Sequence, residues 1–560
     1  MIRTIFYFLT IWIIFIVPDA LAIVDMKNGN FTYSWMDLES SVVDNAYTLD
    51  VKRTYNSRSK FKGLFGLGWC SNFDTKLGKK ADGSLVLIEC GSGMQTVFTT
   101  KNYNSSDIEL QIKKILGKIQ EKGPKSEADI NALKEQLKID EHLRNETAID
   151  LGIIESLSEG DIYYANGTET ESISFRDGVF TYSEPMKSMR QFDHKGRLMA
   201  SYDKYGHFIK YKYEGALLKT VENDNKHRLH FNYDKQGNLQ TIFGPLGKKI
   251  IYEFKNNLLI GVTNAWGNKY QYKYDGNLLM TKATWPNMSF IQVTYDNDIT
   301  TSFQDSKGCI EKYKYDLNNK KFPDQYSVSA IKDCEEVKTT SKYDFFYKTR
   351  SSDGVRYLER TLTAVDDAVT EIQFHEIYGK PILIRKPDEI ITFTYSSDGL
   401  VKTKISNTER NDYQFDKASM KISKLSTLTF GRFFFDGYRS SPRETLIGNQ
   451  YTFNYNSYGE VVFANNGKQT IQLTYDNKGR IASVVDQDKK MVQLKYDHVF
   501  GKPSEVSLVN VGAISVSYDN KGEISNIKSS AGPTVASEVA AVFNQLLEII
   551  KPVSREMYNL

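Results

Sequence analysis

Hydrophobic and polar residues alternate along most of the chain, and the alternating segments recur at a fixed interval. In one such segment Ile471, Leu473 and Tyr475 are separated by Gln472 and Thr474. This period of two is typical of a strand with one apolar face. A polar segment with turn composition follows, and then a second short strand. Each unit therefore predicts two antiparallel strands and two tight turns, arranged as a long meander of hairpins.

An aromatic residue near the end of the first strand marks the period. These aromatics lie 20 to 22 residues apart in two runs, and well-preserved units continue as aromatic-Asp-x-x-Gly. A fixed period in this range is typical of a repeat architecture. The turn glycines Gly237, Gly479 and Gly522 are predicted to be structural. The aromatics predicted to be structural are Phe192, Tyr213, Tyr233, Phe254, Tyr274, Tyr295, Tyr315, Phe374, Tyr395, Phe415, Phe435, Tyr455, Tyr475, Tyr496 and Tyr518.

A second motif lies ahead of the repeats. Residues 53–57 read Arg-Thr-Tyr-Asn-Ser, and Gly66, Gly68 and Trp69 follow within Phe-Gly-Leu-Gly-Trp. The glycines allow a turn to pass close beneath the large ring, which anchors it. We predict a structural turn, with a ligand site on Trp69 as the alternative. Together with the repeats of about 190–525, this motif resembles the Rhs family of YD-repeat proteins, which includes insecticidal toxin-complex shell subunits, polymorphic toxins and teneurins.

The resemblance implies an all-β array of antiparallel hairpins that forms a curled strip or partial shell. Rhs relatives enclose a polypeptide, so the implied partner is a second YD-repeat or toxin polypeptide. Toxin-bearing relatives also carry a core-associated autoprotease domain with Asp-Pro-x-Gly signatures, followed by a toxin. This sequence contains no Asp-Pro dipeptide, so neither activity is carried over to it.

Two segments break the strand pattern. Ile108, Ile112 and Ile115 recur at helical spacing, as do Ile130, Leu133 and Leu137, and they predict an inserted α-helical hairpin. This hairpin either packs its apolar stripe on the sheet or projects as a lid or docking arm. A short amphipathic C-terminal helix is predicted after Pro533, either capping the last repeat or binding a partner.

The predicted organisation has eight parts, whose bounds follow from these patterns. They are a signal peptide (1–22), an N-terminal Rhs-type β domain (23–103), the helical hairpin (104–150), a β transition segment (151–190), a first repeat run (191–316), degenerate repeats with longer loops (317–373), a second repeat run (374–530) and a C-terminal helix or cap (531–560).

The N-terminus predicts export. A charged start, a short apolar run and Ala20-Leu21-Ala22 are typical of a secretory signal peptide, with a retained anchor as the alternative. We therefore expect a secreted, periplasmic or cell-surface protein with no stable membrane span after cleavage. The even number of cysteines permits two disulfides, and proximity favours Cys70 with Cys90 and Cys309 with Cys334. Unpaired buried thiols are the alternative.

Charge and motif content narrow the function. The 72 basic and 69 acidic residues form no single-sign block, which argues against a nucleic-acid partner. No nucleophile elbow, zinc-protease or phosphate-loop motif occurs, so we predict no catalytic, cofactor-binding or metal-binding residues. The function favoured is a non-enzymatic shell or scaffold component that encloses or docks a partner polypeptide, as half of a split toxin shell. The alternative is a cell-surface, cell-wall or carbohydrate-binding protein, in which flat aromatic faces stack on sugars.

Overall fold

The structure is a computed structural model in which the chain is a mostly β protein. It describes residues 23–39, 48–80, 83–89, 94–100, 105–123, 126–139, 141–153, 159–165, 170–184, 188–316, 324–334, 337–351, 355–430, 445–498, 501–519, 523–530 and 532–550. The signal peptide predicted at 1–22 lies outside these residues. Among the described helices, none combines the length and the apolarity needed to cross a bilayer.

Six short strands open the described chain. They are β1 (Ile23–Asp25), β2 (Asn30–Leu38), β3 (Val51–Asn56), β4 (Lys62–Gly63), β5 (Gly66–Leu67) and β6 (Trp69–Ser71), followed by a 3-10 turn at Asn72–Asp74. β1, β2, β3 and β6 pair in that order as one antiparallel sheet, and β4 pairs with β5.

Three further strands and three helices come next. The strands are β7 (Lys76–Lys79), β8 (Leu85–Glu89) and β9 (Met94–Thr100), and the helices are α1 (Ser105–Lys122), α2 (Glu127–Ile139) and α3 (Glu141–Asp150). The spacing of isoleucines and leucines predicts two of these helices, and α3 is an addition to them. The helices bury Ile108, Ile112, Ile115, Leu137 and Ala148 in a cluster of their own. The apolar stripe therefore packs among the helices.

The repeats and their flanking strands form a continuous meander. The strands are β10 (Ile162–Ala165), β11 (Ser172–Arg176), β12 (Val179–Ser183), β13 (Met189–Phe192), β14 (Leu198–Tyr202), β15 (Phe208–Glu214), β16 (Leu217–Asn223), β17 (Arg228–Tyr233), β18 (Leu239–Phe243), β19 (Lys249–Lys255), β20 (Leu258–Thr263), β21 (Lys269–Tyr274), β22 (Met280–Thr284), β23 (Phe290–Asp296), β24 (Ile299–Asp305) and β25 (Ile310–Asp316), with a 3-10 turn at Pro245–Gly247.

Three long strands and a fourth of ordinary length then interrupt the phase. They are β26 (Gln325–Cys334), β27 (Val337–Thr349), β28 (Arg356–Val365) and β29 (Ala368–Phe374). β26, β27 and β28 have 10, 13 and 10 residues, whereas β21 and β37 in the regular runs have 6. The 20-residue period of the aromatics is lost across these strands.

The second run completes the meander. Its strands are β30 (Pro381–Lys386), β31 (Glu389–Tyr395), β32 (Val401–Ile405), β33 (Glu409–Phe415), β34 (Ile422–Phe430), β35 (Thr445–Tyr455), β36 (Val461–Asn465), β37 (Thr470–Tyr475), β38 (Ile481–Asp486), β39 (Met491–Tyr496), β40 (Pro503–Leu508), β41 (Gly512–Tyr518) and β42 (Ile524–Ser529), and the helix α4 spans Pro533–Glu548.

The 36 strands β7–β42 pair in chain order as one antiparallel sheet. Within the described residues no ladder joins β42 to β7, so the sheet remains an open strip. Sequential pairing confirms the predicted meander of hairpins and the curled-strip fold. The strip buries one apolar face, and strands β1–β6 fill the hollow of the first run in a shared core. Val539 and Ile549, on and just after α4, join the core of the second run.

Candidate functional site

The repeat tyrosines connect each hairpin to the one before it. Tyr475 lies at a β-bulge where β37 pairs with β38, and its hydroxyl donates to the carbonyl of Val461 at 2.8 Å. Val461 is the residue that pairs with Tyr455, the tyrosine of the preceding unit. The same bond recurs from Tyr233 to Leu218, Tyr274 to Leu259, Tyr295 to Met280, Tyr395 to Pro381, Tyr455 to Ile422, Tyr496 to Ile481 and Tyr518 to Pro503.

The bulge explains why an aromatic residue occupies this position. An extra residue on one strand turns the side chain and increases the local twist. The ring then packs on the apolar face while its hydroxyl reaches a carbonyl in the neighbouring unit. Burial raises the pKa of Tyr496 and of Tyr518 to about 12, so both hydroxyls stay protonated and able to donate at neutral pH.

The other predicted aromatics occupy related places. Phe192, Phe254, Phe374 and Phe415 lie at the same bulge without a hydroxyl to donate. Tyr213 also lies at a bulge, where the Arg197 guanidinium stands 4.9 Å from its ring, whereas Tyr315 pairs in regular register with Val328. Phe435 lies outside the described residues, as does the predicted turn glycine Gly522.

The aspartate after the aromatic organises the turn. Asp476 Oδ1 accepts the backbone N–H groups of Lys478 and Arg480, both at 2.9 Å, and Asp234 Oδ1 accepts those of Gln236 and Asn238. Partial burial raises the pKa of Asp476, but the Arg480 N–H and guanidinium outweigh it, and the pKa falls below its usual value. The carboxylate is therefore a structural acceptor in the turn.

Glycine is favoured in these turns because the backbone there adopts the left-handed conformation, with positive φ. Gly479 has φ +72° and Gly237 has φ +81°. The two glycines differ in their surroundings, since a Cβ on Gly237 would meet nothing within 4 Å. A Cβ on Gly479 would instead collide with the hydroxyl of Tyr205, a residue of the first run.

Tyr205 belongs to a contact that brings the two runs together, here called the seam. The Tyr205 hydroxyl donates to Glu460 Oε1, and Lys204 Nζ lies 3.5 Å from the same oxygen. Asn456 Nδ2 donates to the other carboxylate oxygen at 2.8 Å, and the Tyr205 and Tyr458 rings are 5.4 Å apart. Glu460 is 8% exposed. The seam therefore places a turn of the first run against turns of the second, 255 residues later.

A buried ion pair joins the N-terminal strands to the repeats. Arg53 Nε donates to Asp37 Oδ2 at 2.7 Å, and both side chains are fully buried. Arg53 Nη2 donates to the Tyr272 hydroxyl at 2.7 Å, and the Tyr252 hydroxyl donates to Asp37 Oδ2 at 3.1 Å. The guanidinium also lies 4.8 Å from the centre of the Trp69 ring. Tyr252 and Tyr272, from strands of the first run, thus complete a charge pair that the N-terminal strands bring into the core.

Burial shapes the electrostatics of this pair. It lowers the pKa of Arg53, but the Asp37 carboxylate outweighs it and the net pKa is raised. It also raises the pKa of Asp37, and the guanidinium only partly offsets that shift, so the pKa of Asp37 lies above its usual value. Since each charge lacks water, each depends on the other and on the tyrosine hydroxyls.

The predicted Gly-Gly-Trp turn lies beside this pair. Trp69 is fully buried and its Nε1 donates to the Tyr274 hydroxyl at 3.0 Å. Gly68 has φ +75°, and a Cβ there would lie 3.0 Å from the Tyr55 ring. Gly66, at φ +96°, faces the backbone of Asn257 in the same way. The turn is in contact with the first repeat run, and the buried Trp69 ring offers no open face to a ligand.

The cysteines divide into two groups. Cys309 and Cys334 form a disulfide, with their Cα atoms 4.3 Å apart, next to the paired residues Ile310 and Asp333. Cys70 is buried in β6, and Cys90 lies outside the described residues. The pairing predicted between Cys70 and Cys90 therefore remains a prediction.

Sequence patterns did not point to Asp37 or to the seam. Arg53 belongs to the quoted Arg-Thr-Tyr-Asn-Ser motif, and a buried arginine requires an acidic partner, which is a signal for Asp37. The seam carries no periodic signal, because Tyr205 and Glu460 are joined only by the curvature of the strip. Within the described ranges no three His, Cys, Asp or Glu side chains converge as metal ligands.

Comparisons with known proteins agree with these features. A family model described as a domain of unknown function, DUF6531, matches residues 22–98, and the model described as Teneurin YD-shell matches residues 445–545. Both matches agree with the resemblance to the Rhs family of YD-repeat proteins. The first match covers the buried Arg53 and Trp69, and the second covers the bulged tyrosines from Tyr455 to Tyr518.

Several solved structures resemble this chain. The crystal structure of TcdB2-TccC3 is 10% identical with a TM-score of 0.36, over 64% of this chain and 24% of that one. A mutant Tc holotoxin pore of Photorhabdus luminescens is 10% identical with a TM-score of 0.31, over 91% of this chain and 29% of that one. The chain thus spans about a quarter of the length of these proteins. A search of the curated proteins found no match.

Proposed function

We propose that this protein is an exported, non-enzymatic component of a shell that encloses or docks a partner polypeptide, as half of a split toxin shell. The observation that carries the proposal is the seam, in which a turn at Tyr205 meets Glu460 across 255 residues. A flat strip would keep these turns far apart. The contact requires a curved wall, and the Teneurin YD-shell match at 445–545 supports the same architecture.

The separate cores of the two repeat runs support the interpretation of this chain as half of a shell. The N-terminal strands occupy the hollow of the first run through Arg53 and its tyrosine partners. The second run has a separate core that includes Val539 of α4. The N-terminal strands cover the inner face of the first run. A partner polypeptide would then lie along the part of the curved inner face that these strands leave free.

The chemistry of the conspicuous side chains supports a structural role. Many of the repeat tyrosine hydroxyls and turn aspartates have backbone partners, as Tyr475 and Asp476 illustrate. Groups held in this way are committed to the fold. Export agrees with the signal-like sequence at 1–22 and with the disulfide between Cys309 and Cys334, which persists in oxidising compartments.

Co-purification with protease protection tests the enclosing function. The tagged protein is isolated from its native host, and any stoichiometric polypeptide is identified by mass spectrometry. The bound polypeptide is then digested in complexes of the natural protein and of the Gly479→Ala variant, which disturbs the seam. We expect a stoichiometric partner that resists digestion in the natural complex and is cleaved in the variant complex. A protein that purifies alone, or a partner cleaved equally in both complexes, would contradict enclosure.

A second function is favoured by one surface feature. Leu246, Trp266 and Met288 stand at successive turns along one edge of the first run, and they are 88%, 49% and 76% exposed. Lys248 Nζ lies 5.7 Å from the centre of the Trp266 ring. An exposed apolar row of this kind suits contact with a cell surface or a carbohydrate. Retention on isolated cell envelopes that Trp266→Ala abolishes would favour this function over enclosure.

A further inference from the structure

The two ends of the strip differ in their accessibility. At the first end, Lys76 of β7 forms a bridge with Arg197, and Leu77 N donates to the Gly196 carbonyl at 2.9 Å. At the last end, β42 pairs with β41, and among the described residues no ladder forms on its other side. Within the part of the chain that the structure describes, the strip is therefore blocked at β7 and open at β42.

Helix α4 leaves this open edge uncovered. Val539, in the middle of the helix, is fully buried in the core of the second run together with Ile514 of β41. The helix thus lies across the apolar face of the last strands. The central residues of β42, from Ser525 to Lys528, are exposed, and Ile527 is an exposed apolar residue among them.

The ladder shows which backbone groups face outward. Ser530 N donates to the Ala513 carbonyl at 2.9 Å, just beyond the end of β42, and β42 pairs with β41 in the same register. Bonding alternates along an antiparallel ladder. Asn526 and Lys528 therefore bond to β41, whereas Ser525, Ile527 and Ser529 direct their N–H and C=O groups away from the strip.

We propose that the outer edge of β42 pairs with β42 of a second copy of this chain, antiparallel and two-fold symmetric about Ile527. In this register the two Ile527 side chains lie opposite each other, and Lys528 faces Asn526 of the second copy. No like charges meet, and both exposed isoleucines become covered. Pairing of an edge strand with another chain is a general mode of association, and the blocked β7 end excludes a head-to-tail arrangement.

The inference rests on the proposed shell function in one respect, because it makes a second copy the other half of the wall. The two proposals fail separately. A chain that self-pairs but never holds a partner polypeptide would keep this inference and remove enclosure. A monomer that holds a protected partner would do the opposite.

Disulfide trapping tests the register directly. In a Cys90→Ser background, Ile527→Cys is compared with Ser525→Cys under mild oxidation on a non-reducing gel. We expect Ile527→Cys to give a covalent dimer, because residue 527 lies on the two-fold axis. Ser525→Cys faces residue 529 and should stay monomeric, since its own counterpart is four residues away, about 13 Å along the strands. Equal trapping of both variants, or of neither, would overturn the proposal.

Sedimentation equilibrium tests the same contact without a new thiol. The natural chain should show a dimer fraction that rises with concentration, whereas Ile527→Pro should remain monomeric. Proline removes an outward N–H and leaves the bonds to β41 in place, so the melting temperature should stay close to that of the natural chain. A natural chain that is monomeric throughout, or an Ile527→Pro variant that dimerises as well, would contradict the pairing.

Discussion

Replacing Arg53 with methionine should selectively weaken the junction between the N-terminal strands and the repeats. Methionine keeps most of the side-chain volume but removes the charge that faces Asp37 at 2.7 Å. The carboxylate would then remain buried with one hydroxyl donor, from Tyr252. Breaking a buried pair by removing one partner costs about 3–5 kcal/mol, because an uncompensated charge stays in the core.

Two controls separate the charge from the packing. Arg58→Met removes a surface ion pair, in which Arg58 Nη2 lies 3.1 Å from Asp298 Oδ2 and the two side chains are 38% and 44% exposed. Such pairs contribute about 0–1 kcal/mol to the free energy of unfolding. The double variant Arg53→Met with Asp37→Leu removes both buried charges and should recover most of the lost stability.

Urea unfolding followed by tryptophan fluorescence measures the effect, because Trp35 and Trp69 both lie within 6 Å of the guanidinium. We expect an earlier transition for Arg53→Met, and a transition near that of the natural chain for Arg58→Met. A loss below about 1 kcal/mol for Arg53→Met would refute the reasoning. It would mean that water reaches Asp37 or that the pair does not form.

Three further predictions concern the repeats. Tyr475→Phe keeps the ring and loses one hydrogen bond, so the free energy of unfolding should fall by about 1 kcal/mol, measured in urea. Gly237→Ala should lower the free energy of unfolding by about 1–2 kcal/mol, because alanine is strained in the left-handed backbone conformation. Gly479→Ala should lower it clearly more, because its Cβ also displaces Tyr205 of the seam. Equal losses for the two variants would contradict the seam. Asp476 has a lowered pKa, so its stabilisation is present above about pH 4 and lost as the pH falls through the lower folded pKa. Asp476→Asn should flatten that acid dependence of the melting temperature.

The local features of the fold could be predicted because each repeat encodes them within a few residues. Alternation at Ile471, Leu473 and Tyr475 specifies a strand and its buried face. The Asp and Gly that follow specify the turn, and the repetition of both specifies a meander. The bulge at most of the described aromatics was not anticipated, since alternation fixes the face of a residue but not an insertion in the ladder.

Features that depend on curvature could not be predicted. Tyr205 and Glu460 have no shared pattern, and their contact follows from the accumulated twist of many strands. The third inserted helix was missed because Glu141–Asp150 is short and largely polar, with a weak apolar stripe. Long strands such as Val337–Thr349 follow no period and appeared in the sequence only as a loss of phase.

Zero-length carbodiimide cross-linking of the intact protein tests most directly that the strip curls back on itself. Lys204 Nζ and Glu460 Oε1 are 3.5 Å apart, and Lys495 Nζ and Glu505 Oε1, on neighbouring strands, are 2.9 Å apart and provide the positive control. The account predicts that mass spectrometry of the digested monomer finds both cross-linked peptides. Recovery of the Lys495–Glu505 link without the Lys204–Glu460 link would contradict a curved wall.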